Sequence, residues 1–171
     1  MSLEVSTLRA LAHPVRLRML SLLTGAAMSA AELARELEVS QANASYHLRT
    51  LAAARLVTAA GEVRVRGGVA KRYRYEVDAE APRATDIASE PLFAQALAAE
   101  LVRRSRLRRV GAAGISTDAE LWVDPATWTD MRTRMTAVSK QLHRAARPPR
   151  TAGTVRLSVT VAAFEMADDA P

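Results

Sequence analysis

The chain of 171 residues contains no cysteine and only seven aromatic residues of the Trp, Tyr and Phe types. The absence of cysteine excludes disulfides, thiolate metal sites and thiol redox sensing. No apolar run reaches the roughly 18 residues that a membrane-spanning helix requires. The first residues also lack the basic and then apolar pattern of a signal peptide, so we expect a cytoplasmic protein.

Signals of catalysis are missing as well. The sequence has no glycine-rich phosphate loop, no nucleophile elbow and no cysteine–histidine pair, and its carboxylates are scattered. The three histidines, His13, His47 and His143, are far apart along the chain. We therefore expect neither an enzyme nor a bound cofactor, and we assign no metal site.

Lysine is rare too, so arginine supplies nearly all of the positive charge, and the net charge is +6. Arginine-rich, alanine-rich chains have a high pI for reasons of composition alone. The position of the charge says more: residues 40–75 carry seven basic residues and only one acidic residue, Glu62. Such a concentrated basic stretch favours a polyanionic partner, above all nucleic acid.

The first 54 residues show helical periodicity. Apolar spacing predicts helices over Leu3–Leu11 and Pro14–Thr24, and Gly25 suits a helix end at positive φ. A capping box of Ser29 and Glu32 then begins a short helix. Ser40 caps the following helix, which runs to about Ala54. Two short helices joined by a tight turn indicate a helix-turn-helix.

The pattern then changes to alternation of charged and apolar residues, which is typical of half-buried strands. The two alternating segments are Glu62–Arg66 and Lys71–Val77, and Gly67 and Gly68 between them predict a hairpin turn. A hairpin directly behind a helix-turn-helix is a wing.

The second half predicts further helices and a strand. A helical stretch runs from Pro91 to about Val110, and Asp124 with Pro125 begins another that extends to about Ala146. Alternation predicts a strand over Thr154–Phe164 and a short one over Leu121–Val123. The expected fold is mainly α (α+β): a winged helix-turn-helix domain over residues 1–79, then a dimerisation and possible effector-binding region over residues 80–171.

Three features together resemble the ArsR family of bacterial winged-helix transcriptional regulators. They are "LAHPVRLRMLSLL", "AAELARELEVSQANASYHLRTLAAARLV" and the basic hairpin, within about Leu8–Val77. The resemblance implies a homodimer that binds a near-palindromic operator and represses until an effector binds. The cysteines of the metal-sensing members are replaced here, so metal sensing is not carried over. The Trp-Val-Asp-Pro and Arg-Pro-Pro segments are similar to a longer, metal-free branch.

The helix after Ser40 displays short or planar hydrogen-bonding side chains, which suit base edges in the major groove. We expect Gln41, Asn43 and Tyr46 to contact bases, while the wing grips the DNA backbone. His47 fits a structural, hydrogen-bonded histidine better than a base contact. The full predicted DNA-binding set is Ser40, Gln41, Asn43, Ser45, Tyr46, Arg49, Arg64, Arg66, Lys71 and Arg72.

An apolar stripe from Trp128 to Leu142 predicts a core or dimer interface in preference to a ligand pocket. A pocket for a small-molecule effector would be lined by Trp122, Trp128, Met131 and Met135. Two alternatives stay open: a winged-helix module that binds an acidic protein, and a metal-responsive sensor with histidine and carboxylate ligands.

Overall fold

Six helices and one small antiparallel sheet form the part of the chain that the computed structural model describes, residues 7–65, 68–75 and 89–167. The helices are α1 (Thr7–Leu11), α2 (Pro14–Gly25), α3 (Ala30–Leu37), α4 (Gln41–Ala53), α5 (Glu90–Ser105) and α6 (Pro125–Ala145). The strands are β1 (Met28–Ser29), β2 (Val57–Val65) and β3 (Gly68–Tyr75), in the order β1-β3-β2. This architecture confirms the predicted winged helix-turn-helix of the α+β class.

Helix ends follow the capping residues of the sequence. The Nδ1 atom of His13 accepts a hydrogen bond from the amide of Val15 at 3.2 Å and caps α2. The hydroxyl of Ser29 accepts from the amide of Glu32, whose carboxylate accepts from the amide of Ser29 in return. This capping box, which the sequence predicts, fixes the start of α3.

The core lies beneath the helix-turn-helix. Its largest fully buried side chains are Met19 and Leu23 of α2, Leu33 of α3 and Leu51 of α4. Partly buried aromatic rings from β3 and α5 pack against this cluster. The apolar faces that the periodicity marks are therefore turned inward, and the opposite face of α4 is left to solvent.

The wing is the hairpin of β2 and β3, and it is longer than the alternation predicts. Val57 pairs with Tyr75 at the base, and Val65 pairs with Gly68 near the tip. A β-bulge lies between Ala59 and Glu62. The predicted turn residue Gly67 lies outside the described residues, as does Arg66.

A strand that the periodicity does not predict ties the hairpin to the helices. In this strand, β1, Met28 pairs with Tyr73 and Ser29 pairs with Arg72. Two residues are too few for a repeat of two to be seen in the sequence.

The expectation that Gly25 ends a helix at positive φ is wrong. Gly25 is the last residue of α2, and its φ is not in the positive range, so no left-handed helix end is present there. A Cβ atom at this position would lie 2.3 Å from the carbonyl oxygen of Arg147, beyond the end of α6. The small size of Gly25 therefore allows the chain after α6 to dock on α2.

The C-terminal half has little core of its own. Helix α5 packs against α1 and α2, and α6 contacts α2. No residue of α6 is buried. The strands predicted over Leu121–Val123 and Thr154–Phe164 are wrong, because both segments lie outside any ladder and their side chains are exposed. Alternation marks a segment that is able to pair, but a strand forms only where a neighbour supplies the hydrogen bonds.

None of the helices within the described ranges combines the length and the apolar character needed to cross a membrane.

Candidate nucleic-acid interface

Helix α4 presents its polar side to solvent. Ser40 caps it, with its hydroxyl accepting from the amide of Asn43 at 3.1 Å. Ala44 and Leu48 face the core, whereas Gln41 and Asn43 are exposed. The cap and the buried face fix the helix in rotation, so both amide side chains have defined directions, and their spacing of two residues places them on different sides of the helix.

Tyr46 and His47 are neighbours in the sequence but have different environments. The ring of Tyr46 is 58% exposed, and it meets the edge of the His47 ring at a centroid distance of 5.3 Å. His47 is only 5% exposed and lies 4.5 Å from the ring of His13. The prediction that His47 is a structural histidine is confirmed.

A buried arginine anchors this histidine pair. The Nη1 atom of Arg16 lies 3.5 Å from Nδ1 of His47. The other guanidinium nitrogens donate to the carbonyl oxygens of Arg9 and Ala10 at the end of α1. Arg16 therefore joins α1, α2 and the recognition helix α4 in one hydrogen-bonded cluster.

Both histidine rings are held towards the neutral state. Burial lowers the pKa of His47, and the nearby His13 and Arg16 lower it further by charge repulsion. Burial and Arg16 also lower the pKa of His13. A neutral ring is required at His47, because only an unprotonated Nδ1 accepts a hydrogen bond from Arg16.

The wing turns its basic side chains in two directions. Arg64 of β2 and Lys71 of β3 are exposed. Arg72 is engaged within the protein instead, because its Nη2 atom donates to Oε1 of Glu32 of α3 at 3.1 Å. The Nε atom of Arg72 is buried without a hydrogen-bond partner in the structure. Of the predicted wing contacts, Arg72 is thus engaged within the protein.

An open cleft of about 480 Å³ separates the wing from α3 and α4. It brings together the predicted residues Gln41, Ser45, Arg49 and Lys71. It also includes Arg35 of α3, which is not in the predicted set. The sequence signal that bears on it is that the first helix of a helix-turn-helix crosses the DNA backbone, where an exposed cation is able to meet a phosphate.

The residues predicted to line an effector pocket are not buried together. Trp122 is 90% exposed, and Met131 is also exposed. Trp128 and Met135 are half-buried on α6, and the indole Nε1 of Trp128 donates to Oε1 of Glu165 at 2.6 Å. An enclosed pocket at these side chains would require a further covering surface.

Two arginines in the last turn of α5 are engaged within the chain. Arg103 forms a bidentate contact with the buried carboxylate of Glu100, at 2.7 Å for the closest pair of atoms. Arg104 donates to the carbonyl oxygen of Val159 and to the hydroxyl of Thr160. Arg104 therefore holds the C-terminal segment against α5, whereas the Arg103 contact lies within the helix.

Among the described residues, no three His, Asp or Glu side chains are placed together as metal ligands.

Comparison with known families supports the same region. Residues 11–59 match the helix-turn-helix domain family, which covers 49 of the 171 residues. No curated protein matches the chain significantly. The matched segment runs from the end of α1 into β2, so it contains α3 and α4 and supports a DNA-binding regulator. The chain beyond β2, including α5 and α6, lies outside this match.

Proposed function

We propose that the protein is a sequence-specific transcriptional regulator of the ArsR type that binds a palindromic operator as a homodimer and represses transcription. The observation that carries this proposal is the exposed polar face of α4 beside an exposed basic wing, across one open cleft. The match of residues 11–59 to the helix-turn-helix domain family supports it.

In this proposal, helix α4 recognises the bases. The major groove admits one helix, and the planar amides of Gln41 and Asn43 suit the donor and acceptor pair that adenine presents there. Both residues lie in the first turn of α4, the end that penetrates deepest in this class of domain. Tyr46, one turn further on, extends the exposed face.

The basic side chains around the helix supply most of the affinity for DNA. Arg49 on α4 and Lys71 on the wing line the cleft, and Arg64 is exposed on β2. Contacts of such side chains with phosphate position the helix without recognising sequence. Ser40 adds a hydroxyl at the start of α4, and Ser45 adds one inside the cleft.

The C-terminal half supports the dimer. A helix of 21 residues without a buried residue leaves its apolar stripe uncovered, and the stripe includes Met131, Val138 and Leu142. Exposed apolar area on this scale is typical of an interaction surface. A second copy covering α6 would place two recognition helices on one operator, and an apolar effector at Trp128 and Met135 would act on that arrangement.

The test is selection of bound fragments from random duplexes, followed by fluorescence anisotropy titrations at several salt concentrations. We expect a palindromic site and an affinity that falls steeply with salt. The double variant Arg64→Gln/Lys71→Gln should lower the salt slope by roughly 0.9 for each lost contact. Asn43→Ala should instead reduce discrimination against a changed base pair, by about 1–3 kcal/mol.

Arg132→Gln is the matched control, because it removes one exposed charge from α6, a helix that does not line the cleft. Salt-independent binding, or binding only to an acidic protein, would reject the proposal in favour of a protein-interaction module. A change in DNA affinity on addition of Zn²⁺ would point to a metal-responsive sensor instead.

A further inference from the structure

We infer that the cleft between α3, α4 and the wing seats a phosphate of the DNA backbone, and that Arg35 of α3 is a further DNA-binding residue. This inference rests on the proposed function, and it adds a third contacting element to the recognition helix and the wing.

The cleft is built from three elements. Arg35 comes from the last turn of α3, Arg49 from the middle of α4, and Lys71 from β3. The residues at its α3 side, Ala30 and Ala31, are small, so a bulky strand is able to approach closely. The cleft is open to solvent, which a binding site for a DNA strand requires, because the strand has to continue on both sides of it.

No ion pair among the described residues neutralises the basic side chains of the cleft, and Glu62 is only the ladder partner of Lys71. Within the described residues, Arg35, Arg49 and Lys71 make no hydrogen bond or ion pair through their side chains, and no acidic side chain lines the cleft. Three like charges that share one cleft repel each other, and an anion between them removes that repulsion. Their arrangement therefore favours an anionic ligand.

The two acidic side chains within α3 are neutralised from outside the helix. Arg72 of β3 pairs with Glu32, and Arg150, beyond α6, pairs with Glu36. Both arginines are distant from α3 in the sequence, and each takes one acidic side chain of that helix. Arg35 is thereby left as the unpaired charge on the exposed side of α3.

A phosphodiester fits this cleft better than a base edge does. Two guanidinium groups and one ammonium offer only donors, whereas base edges present donors and acceptors in a mixed pattern. In helix-turn-helix domains the first helix crosses the backbone while the second occupies the groove. Arg35 lies on that first helix and faces the same cleft as Gln41 of the second.

The experiment compares Arg35→Gln with Arg132→Gln, in the full chain, on the selected operator and on an unrelated duplex of equal length. For Arg35→Gln we expect a loss of roughly fivefold to tenfold in affinity at about 0.1 M salt and a salt slope lower by about 0.9. The loss should be the same on both duplexes, because a phosphate contact carries no sequence information. Arg132→Gln should match the wild type.

A purely structural role predicts a different result. Arg35 lies near the negative end of the α3 dipole, so a structural role would lower the melting temperature and leave the salt slope unchanged. An unchanged slope, or a loss confined to the operator, would overturn the inference while leaving the proposed function standing. Failure of the wild type to bind either duplex would overturn both.

A phosphate titration distinguishes the DNA backbone from a small free anion as the ligand of the cleft. Inorganic phosphate is titrated against the wild type at constant ionic strength, with the Nε–H signals of the arginines followed by NMR. We expect no saturable shift below tens of millimolar phosphate, because a single phosphate lacks the neighbouring contacts of the duplex. Saturation at micromolar phosphate would assign the cleft to a small anion and overturn the inference.

Discussion

Arg72 of the wing and Glu32 of α3 form an ion pair, with 3.1 Å between Nη2 and Oε1, and the same carboxylate also accepts from the amide of Ser29. Ser29 and Arg72 are partners in the ladder of β1 and β3. One carboxylate therefore caps a helix of the helix-turn-helix and holds the wing against it. Partial burial acts to raise the pKa of Glu32, but the hydrogen bonds from Ser29 and the contact with Arg72 outweigh it and lower the pKa.

This arrangement predicts different effects for two neighbouring charges, one on stability and one on DNA binding. Arg72→Gln removes the contact with Glu32 and should lower the free energy of unfolding by about 1 kcal/mol, since the pair is only partly exposed. Lys71→Gln makes the same change of charge on the opposite face of β3 and should leave stability unchanged while lowering the salt slope of DNA binding. Thermal unfolding of the two variants, measured side by side, is the check. Equal melting temperatures would show that the Arg72 contact does not hold the wing.

The histidine cluster predicts a loss of stability in mild acid. The pKa of His13 and of His47 is lowered in the folded state from an ordinary value of 6.5, so the unfolded chain takes up protons first as the pH falls. The free energy of unfolding should therefore decrease as the pH drops below about 6.5, and it should level off below the folded-state pKa values. Protonation would also place positive charges beside Arg16.

The measurement is urea unfolding at intervals between pH 7.5 and pH 5. His47→Gln should flatten the profile, because it removes one of the two histidines whose pKa is lowered. Ser21→Ala, at an exposed position of α2, should retain the slope of the wild type. A profile that is equally steep in His47→Gln and the wild type would contradict the assignment.

The fold of the described residues up to Tyr75 was largely accessible from the sequence, because its signals are local. Ser29 with Glu32 and Ser40 are caps that act within one turn, and the repeat of Ala44, Leu48 and Leu51 marks the buried face directly. The contact of Arg72 with the helices could not be predicted from such local signals. Alternation shows that Lys71 and Arg72 point to opposite sides, but which of them meets a carboxylate of the protein depends on Glu32, which is 40 residues away.

In the C-terminal half, the sequence predicts the start of a helix but not whether a strand is paired. The start of α6 was predicted correctly, because Asp124 accepts from the amide of Thr127 within one turn. The strand over Thr154–Phe164 was not, since pairing is a property of two segments and only one is marked in the sequence. The expected helix end at positive φ at Gly25 was wrong for a related reason: the residue that approaches Gly25 in space, Arg147, is distant along the chain.

That close approach at Gly25 is itself testable. Alanine is the better helix former, so Gly25→Ala would stabilise an isolated α2 by about 0.5–1 kcal/mol. In the folded chain the added Cβ meets the backbone of Arg147, so we expect a net loss of about 1–2 kcal/mol and release of the segment that follows α6. Tryptic cleavage after Arg150 should become faster. Ser21→Ala, at an exposed position of the same helix, is the control and should leave cleavage unchanged.

The uncovered stripe of α6 predicts where a dimer is broken. Val138 is 56% exposed in the single chain, so Val138→Glu adds a charge without disturbing a core. If a second copy covers this face, the charge becomes buried and unpaired, and the dissociation constant of the dimer should rise by roughly a hundredfold or more. Light scattering after size-exclusion chromatography measures the state, and operator affinity should fall with it, because one recognition helix then binds alone. Thr133→Glu places the same charge on the opposite side of α6 and should remain dimeric; a Val138→Glu variant that also remains dimeric would remove α6 from the interface.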